Sequence, residues 1–179
     1  MQDSELIILT QKGDEQAFCD LIKKYEKKIY SIAYKFMRNE HDAQDAAQDA
    51  IIKMFINIKK FSFQSAFTTW MYRVTANACL DALRKRSPAA NFEEFERLAV
   101  SADGNPSADL LNRELGEAIR KAVQLLPEKH IPIIVLRDME GLKYEEIAEV
   151  LKISVGTVKS RIFRAREKLR EILISQNML

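Results

Sequence analysis

The sequence predicts an all-α protein of two small helical domains, and three observations carry that reading. Apolar residues recur at i, i+3, i+4 and i+7 through most of the chain, while strand-like alternation is nearly absent. Ala, Leu, Ile, Lys and Glu abound beside only five glycines, a balance that favours helix over sheet. The periodicity collapses once, between Ser87 and about Ala108, where "SPAANFEEFERLAVSADGNPSAD" holds two prolines and a Gly-Asn-Pro breaker. A linker over 87–109 therefore separates a first domain, 1–86, from a second, 110–179, with a short helix possible at "FEEFERLA".

The first expected helix runs from about Asp14 to Met37, with Ala17, Phe18, Leu21, Ile22, Tyr25, Ile29, Ala33 and Phe36 inward. A second covers Asp42 to Ile58 after a turn in which Asn39 or Asp42 can cap it. Its inner stripe is Ala43, Ala46, Ala47, Ala50, Ile51, Met54, Phe55 and Ile58, with Asp45, Gln48 and Asp49 opposite. At ~100° per residue Ile52 and Ile56 fall on that acidic side, where solvent residues belong. The loop "KFSFQSAF" then leads into a third helix, about Ala66 to Arg86.

In the second domain four helices are expected, at about 110–125, 128–139, 144–151 and 155–174. Pro127 suits a first helical position; Pro132 does not, so its helix starts late or kinks. "YEEIAEVLKISVGTVKSRIFRAREKLR" reads as a short helix, a three-residue turn and a longer helix capped by Ser154, which is a helix-turn-helix. Ile147, Ala148 and Leu151 face inward from the short helix. Val155, Val158, Ile162, Ala165 and Leu169 do so from the long one. The outward face carries Thr157, Lys159, Ser160, Arg161, Phe163 and Arg164, without an acid. That suits a major groove, where Arg pairs with guanine and hydroxyls reach bases or phosphates.

Composition narrows the function further. At 47% apolar and 30% charged residues the chain is of globular type, and no apolar run approaches a membrane span. "MQDSELIILTQKGDEQ" is too polar for a secretory signal. Net charge is only +2, but the basic residues are segregated, from Lys152 to Arg170 and at "LRKR", as in a nucleic-acid binder. Cys19 and Cys79 lack metal-ligand spacing and read as buried residues of a reducing cytosol. His41 and His130 stand without a catalytic constellation and no phosphate loop is present, so neither an enzyme nor a cofactor or metal site is expected.

"DAQDAAQDAIIKMFINIKKF", "FTTWMYRVTANACLDALRKR" and "LPEKHIPIIVLRDMEGLKYEEIAEVLKISVGTVKSRIFRAREKLR", in that order, resemble the group IV, or extracytoplasmic-function, sigma factors of bacterial RNA polymerase. The sequence departs from the family in placing Asp49, Ala50 and Ile51 after Gln48, and Lys152 where a turn glycine is common. The resemblance implies a cytoplasmic protein that joins core polymerase, through the clamp for the first domain and the flap for the second. It implies promoter DNA as the other partner and an anti-sigma factor as the controlling one.

By resemblance Asp42, Asp45, Gln48, Asp49, Ile52 and Ile56 face the polymerase, so that charge steers and isoleucine supplies burial. The minus-ten element, as single strand, would meet Phe61, Phe63, Gln64, Ser65 and Ala66 of the loop and Tyr72, Arg73, Asn77, Arg84, Lys85 and Arg86 of the following helix. Aromatics there stack on splayed bases and cations neutralise phosphates. Phe67 and Trp70 lie near the helix's inner stripe and read as core. The minus-thirty-five element would be read by the outward face of the helix-turn-helix. The alternative is a self-sufficient regulator that binds duplex DNA through the same helix-turn-helix.

Overall fold

A computed structural model describes residues 2–86 and 111–176, and every regular element among them is helical. The chain divides into two compact units, Met1–Ser87 and Pro88–Leu179. The segment 87–109, expected to be a linker, lies outside the described residues.

The first unit is built on α1 (Asp3–Gln11), α2 (Glu15–Met37), α3 (Glu40–Asn57) and α4 (Phe67–Arg86). Asp14 caps α2 by accepting the Ala17 N–H at 3.0 Å, and the helix ends at Arg38 in the left-handed region. Asn39 caps α3 by accepting the Asp42 N–H at 2.9 Å, which settles the choice between Asn39 and Asp42. The inner stripes of α2 and α3 meet those of α4, burying Leu21, Ile29, Ile32, Phe36, Met54, Met71, Cys79 and Leu83. Their burial removes apolar area from water at about 25 cal/mol per Å². Alanines at 43, 46, 47 and 50 are all buried, and their small size lets the α3 backbone approach its neighbours closely.

The structure adds one helix that the sequence pattern did not show, and corrects two expectations. Helix α1 carries no stripe readable as helical, yet Glu5 accepts the Gln2 N–H at 3.0 Å and Leu6, Ile7 and Thr10 are buried. Gly13, at φ 101°, then turns the chain into α2. Phe55, placed on the inner stripe of α3, is 45% exposed, its ring in an edge-to-face contact with Phe18 at 5.0 Å. Cys19 is exposed, while Cys79 is buried and its thiol is pushed up to about 12 by that burial.

In the second unit α5 (Leu111–Leu125) packs on α8 (Val155–Ser175), with α6 (Ile131–Ile134) and α7 (Tyr144–Leu151) completing the bundle. Pro127 precedes a 3₁₀ turn, Glu128–His130, and α6 starts only after it, with Pro132 in its first turn. The helix therefore starts late, and no proline kink is needed because the first-turn N–H groups have no intrahelical partner. A single π turn, Val135–Met139, continues α6 before Gly141 at φ 71° breaks the chain. Ile131, Ile134, Leu136, Ile147, Val158, Ile162 and Ala165 fill the centre. Of the α7 residues expected inward, Ile147 is buried but Ala148 and Leu151 are half-exposed, and Val150 is buried in their stead.

Candidate polymerase and nucleic-acid interfaces

The outward face of α3 is apolar and acidic together. Ile52 is 50% and Ile56 65% exposed, beside exposed Asp45, Gln48 and Asp49. Phe55 joins them, a residue that the helical stripe had assigned to the interior. A groove of about 470 Å³ runs between α3 and α4 past Asp49, Ile52, Lys53, Asp81 and Lys85. Its rim is organised by Asp81, which accepts Lys53 Nζ at 2.7 Å and lies 3.5 Å from Arg84 Nη1. The arrangement offers a protein partner aliphatic surface for burial within a charged border.

Asp42 behaves differently from the other acids. It accepts Asn39 Nδ2 at 2.7 Å and Arg86 Nη1 at 2.9 Å. The Asn39 amide, with help from Arg86 and His41, holds its carboxyl below the usual range. An expected polymerase contact and an expected DNA contact are thus joined to each other. The pair is solvent-exposed, so it contributes no more than about 1 kcal/mol.

The loop before α4 separates into an anchor and a presented segment. Phe61 is buried, its ring 5.5 Å from Trp70, 6.1 Å from Phe67 and 5.0 Å from Phe63. A ring so enclosed cannot offer a face to a base, so Phe61 holds the loop where stacking had been expected of it. Phe67 is likewise buried and Trp70 half-buried, as their place on the inner stripe requires. Phe63 is 47% exposed and sits at φ 58°, and Gln64, Ser65 and Ala66 follow it into solvent. On α4, Tyr72, Arg73 and Asn77 are half-buried, with the Lys28 ammonium 5.4 Å from the Tyr72 ring centroid. Arg84, Lys85 and Arg86 are exposed at the helix end.

The helix-turn-helix forms as its residues dictate. After α7 the chain passes through Lys152 at φ 56°, a left-handed bend carried by a residue other than glycine. Ser154 Oγ then accepts the Thr157 N–H at 3.1 Å and begins α8. Thr157 Oγ1 lies 2.8 Å from the same cap, and the Ser160 hydroxyl donates to Thr157 O at 3.0 Å. Both hydroxyls are thus engaged with the helix itself. The most exposed line along the first half of α8 is Gly156, Lys159 and Phe163, the last 39% exposed.

Arg161 and Arg164 are half-buried, which places them lower on the outward face of α8 than the sequence suggests. Burial, with the Arg164 charge nearby, lowers the Arg161 pKa. Burial and the cations Lys129, Lys168 and Arg164 hold His130 below its usual value, so Arg164 lies near the Glu128–His130 turn. Arg166 is clamped by Asp138, with Nε to Oδ2 at 3.2 Å, and this bond raises its pKa. Among the described residues no group of His, Cys, Asp and Glu is placed to hold a metal, and no helix is long and apolar enough to cross a membrane.

Comparison with known proteins places these surfaces in a family context. Residues 21–88 match the model of Sigma-70 region 2 and residues 116–169 that of Sigma-70 region 4. The chain is 38% identical to the ECF RNA polymerase sigma factor SigW of Bacillus subtilis (strain 168), over 91% of this chain and 92% of that protein. It is 39% identical to the RNA polymerase sigma-H factor of Pseudomonas aeruginosa, over 96% and 94%. Among solved structures it is similar to CnrH, seen in complex with the cytosolic domain of CnrY, with a TM-score of 0.64, 25% identity and 97% of both chains covered.

Proposed function

We propose a division of labour for this chain, which belongs to the extracytoplasmic-function sigma factors of RNA polymerase: the first unit docks core polymerase and reads the minus-ten element, and the second reads the minus-thirty-five element. As a sigma factor it binds core polymerase and directs promoter-specific initiation. Nucleotide addition belongs to the polymerase, and the work is cytoplasmic.

The observation that carries the assignment of faces is the exposure of Ile52 and Ile56 among Asp45 and Asp49. Two aliphatic side chains left in water on a capped, well-packed helix supply the burial that a protein interface needs. The acids beside them steer the helix toward a basic surface. A self-sufficient duplex-binding regulator leaves this face without a use.

In the loop, Phe63 is the aromatic free to stack on a splayed base, with Gln64, Ser65 and Asn77 able to bond its edge. Lys85 meets phosphate; Arg84 and Arg86 must first leave Asp81 and Asp42. On α8, Lys159 and Phe163 stand furthest out, with Arg161 and Arg164 beneath them as the bidentate base readers. An anti-sigma factor would act by covering the α3 face.

The test is transcription with purified core enzyme on a genomic promoter library. Defined start sites are expected only when the chain and core are both present. A specific shift of promoter duplex by the chain alone, with no effect on core, would favour the regulator instead.

A further inference from the structure

Gln11, the last residue of α1, lies outside the stretch matched to region 2, 21–88. Its side-chain Nε2 donates to two main-chain oxygens far along the chain, Ile58 O at 2.9 Å and Phe61 O at 2.8 Å. Those oxygens bracket the 3₁₀ turn Ile58–Lys60, which Phe61 N–H closes by donating to Ile58 O at 3.0 Å. The exposed segment Ser62–Ala66 begins at the next residue.

Two residues further on, Phe63 is held at φ 58° with its ring half in solvent. Bulky side chains avoid this left-handed backbone, and it persists only where the surroundings over-determine it. Two restraints converge on the loop entry: the Phe61 ring packed against Phe67 and Trp70, and the Gln11 amide on the backbone either side of the turn. The opposite end of α1 is fixed as well, because Asp3 accepts from Lys24 Nζ at 2.9 Å and from the Tyr25 hydroxyl on α2. A helix tied at both ends can hold a loop in place; a frayed one cannot.

We propose that Gln11 is a positioning residue for promoter reading, fixing the entry of the 62–66 loop so that Phe63 is presented in one conformation, a role that rests on this loop being the single-strand reader. The chemistry is selective. Two carbonyl acceptors demand two N–H donors on one atom, which a carboxamide supplies. A glutamate of the same shape offers only acceptors at neutral pH and sets oxygen against oxygen.

The test uses full-length Gln11→Glu and Gln11→Ala assembled with core polymerase. The probe is a labelled single-stranded oligonucleotide carrying the minus-ten sequence of a promoter that the wild-type holoenzyme transcribes. Gln11→Glu should weaken oligonucleotide binding about tenfold, the loss expected for two neutral hydrogen bonds, and Gln11→Ala somewhat less. Core affinity should not change, and amide exchange over Phe61–Ala66 in the free chain should accelerate. Unchanged oligonucleotide affinity in Gln11→Glu, or an equal loss of core affinity, overturns the proposal; the second result makes Gln11 a general stabiliser of the unit. Phe63→Ala and Gln64→Ala separate the two levels. If they weaken the oligonucleotide while Gln11→Glu does not, only the role of Gln11 falls. If they leave binding intact, the loop is not the reader and both readings fall.

Discussion

Helices α3 and α8 begin alike and bury alike. Asn39 caps one and Ser154 the other, each accepting an N–H three residues on, and each helix turns a stripe of small and aliphatic side chains inward. They differ in what is left outside. On α3 it is Ile52, Phe55 and Ile56 among Asp45 and Asp49; on α8 it is Phe163 and, near the helix end, Ile174 among Lys159, Arg166 and Arg170. The inward stripe decides which face is presented, and in the proposed reading the charge on that face selects the partner. Aliphatic side chains gain free energy against another protein, whereas cations gain it against phosphate by releasing counterions.

The largest effect that bears on this comparison comes from the buried side. Met54 is fully buried in α3, so Met54→Ala should cost ~2–5 kcal/mol of first-unit stability in urea melts. A near-neutral result would mean that α3 is not held by its inner stripe, and the distinction between its faces would lose its basis. Next is Arg164→Ala, expected to cost ~1–3 kcal/mol and relax preference at one base position of the minus-thirty-five element. If it lowers binding to all single-base variants equally, its half-buried guanidinium serves phosphate and the reading passes to Lys159 and Phe163.

The caps sharpen the likeness. Asn39→Ala and Ser154→Ala should each cost ~1 kcal/mol, read as thermal shifts of their own unit. The Asn39 variant carries a further sign, because that amide holds the Asp42 carboxyl low. A depressed carboxyl stabilises the fold above its unfolded pKa and loses that contribution as pH falls through the folded one, so the gap between wild type and variant should narrow in acid. Smallest is Arg170→Ala, exposed late on α8, which should weaken all promoter sequences alike and reduce the salt-dependence slope by about 0.9. A base-specific effect there would extend the reading face a full turn beyond Arg166.

Long helices with continuous stripes were legible in the sequence, as was the Ser154 cap; Asp14 read only as the start of α2, and Pro132 left a late start and a kink both open until the structure chose the late start. The outward placement of Ile52 and Ile56 followed from the 3.6-residue period alone. Helix α1 did not show itself, because Leu6 to Leu9 form an unbroken apolar run in a nine-residue helix, too short for a period to emerge. Phe55 misled because it lies at the edge of the stripe, where a large ring can touch Phe18 and still face water. In the loop, composition counted three phenylalanines but could not sort anchor from presented ring; packing did. Asp42 with Arg86, and Gln11 with Ile58 and Phe61, join residues more than forty positions apart, and no local pattern encodes such meetings.

In the proposed reading α3 docks polymerase through Ile52 and Ile56, and neither isoleucine is needed for the fold of the first unit. Equilibrium titration of labelled full-length chain with core polymerase, comparing wild type with the Ile52→Asp/Ile56→Asp double variant, tests it most directly. Each site should tolerate charge within about 0.5 kcal/mol of stability, so the melting profile should be kept. Core affinity should fall at least about thirtyfold, the loss of one hot spot of ~2 kcal/mol. Unchanged affinity with an unchanged melt would mean that polymerase docks elsewhere, and a collapsed melt would mean that the isoleucines belong to the fold.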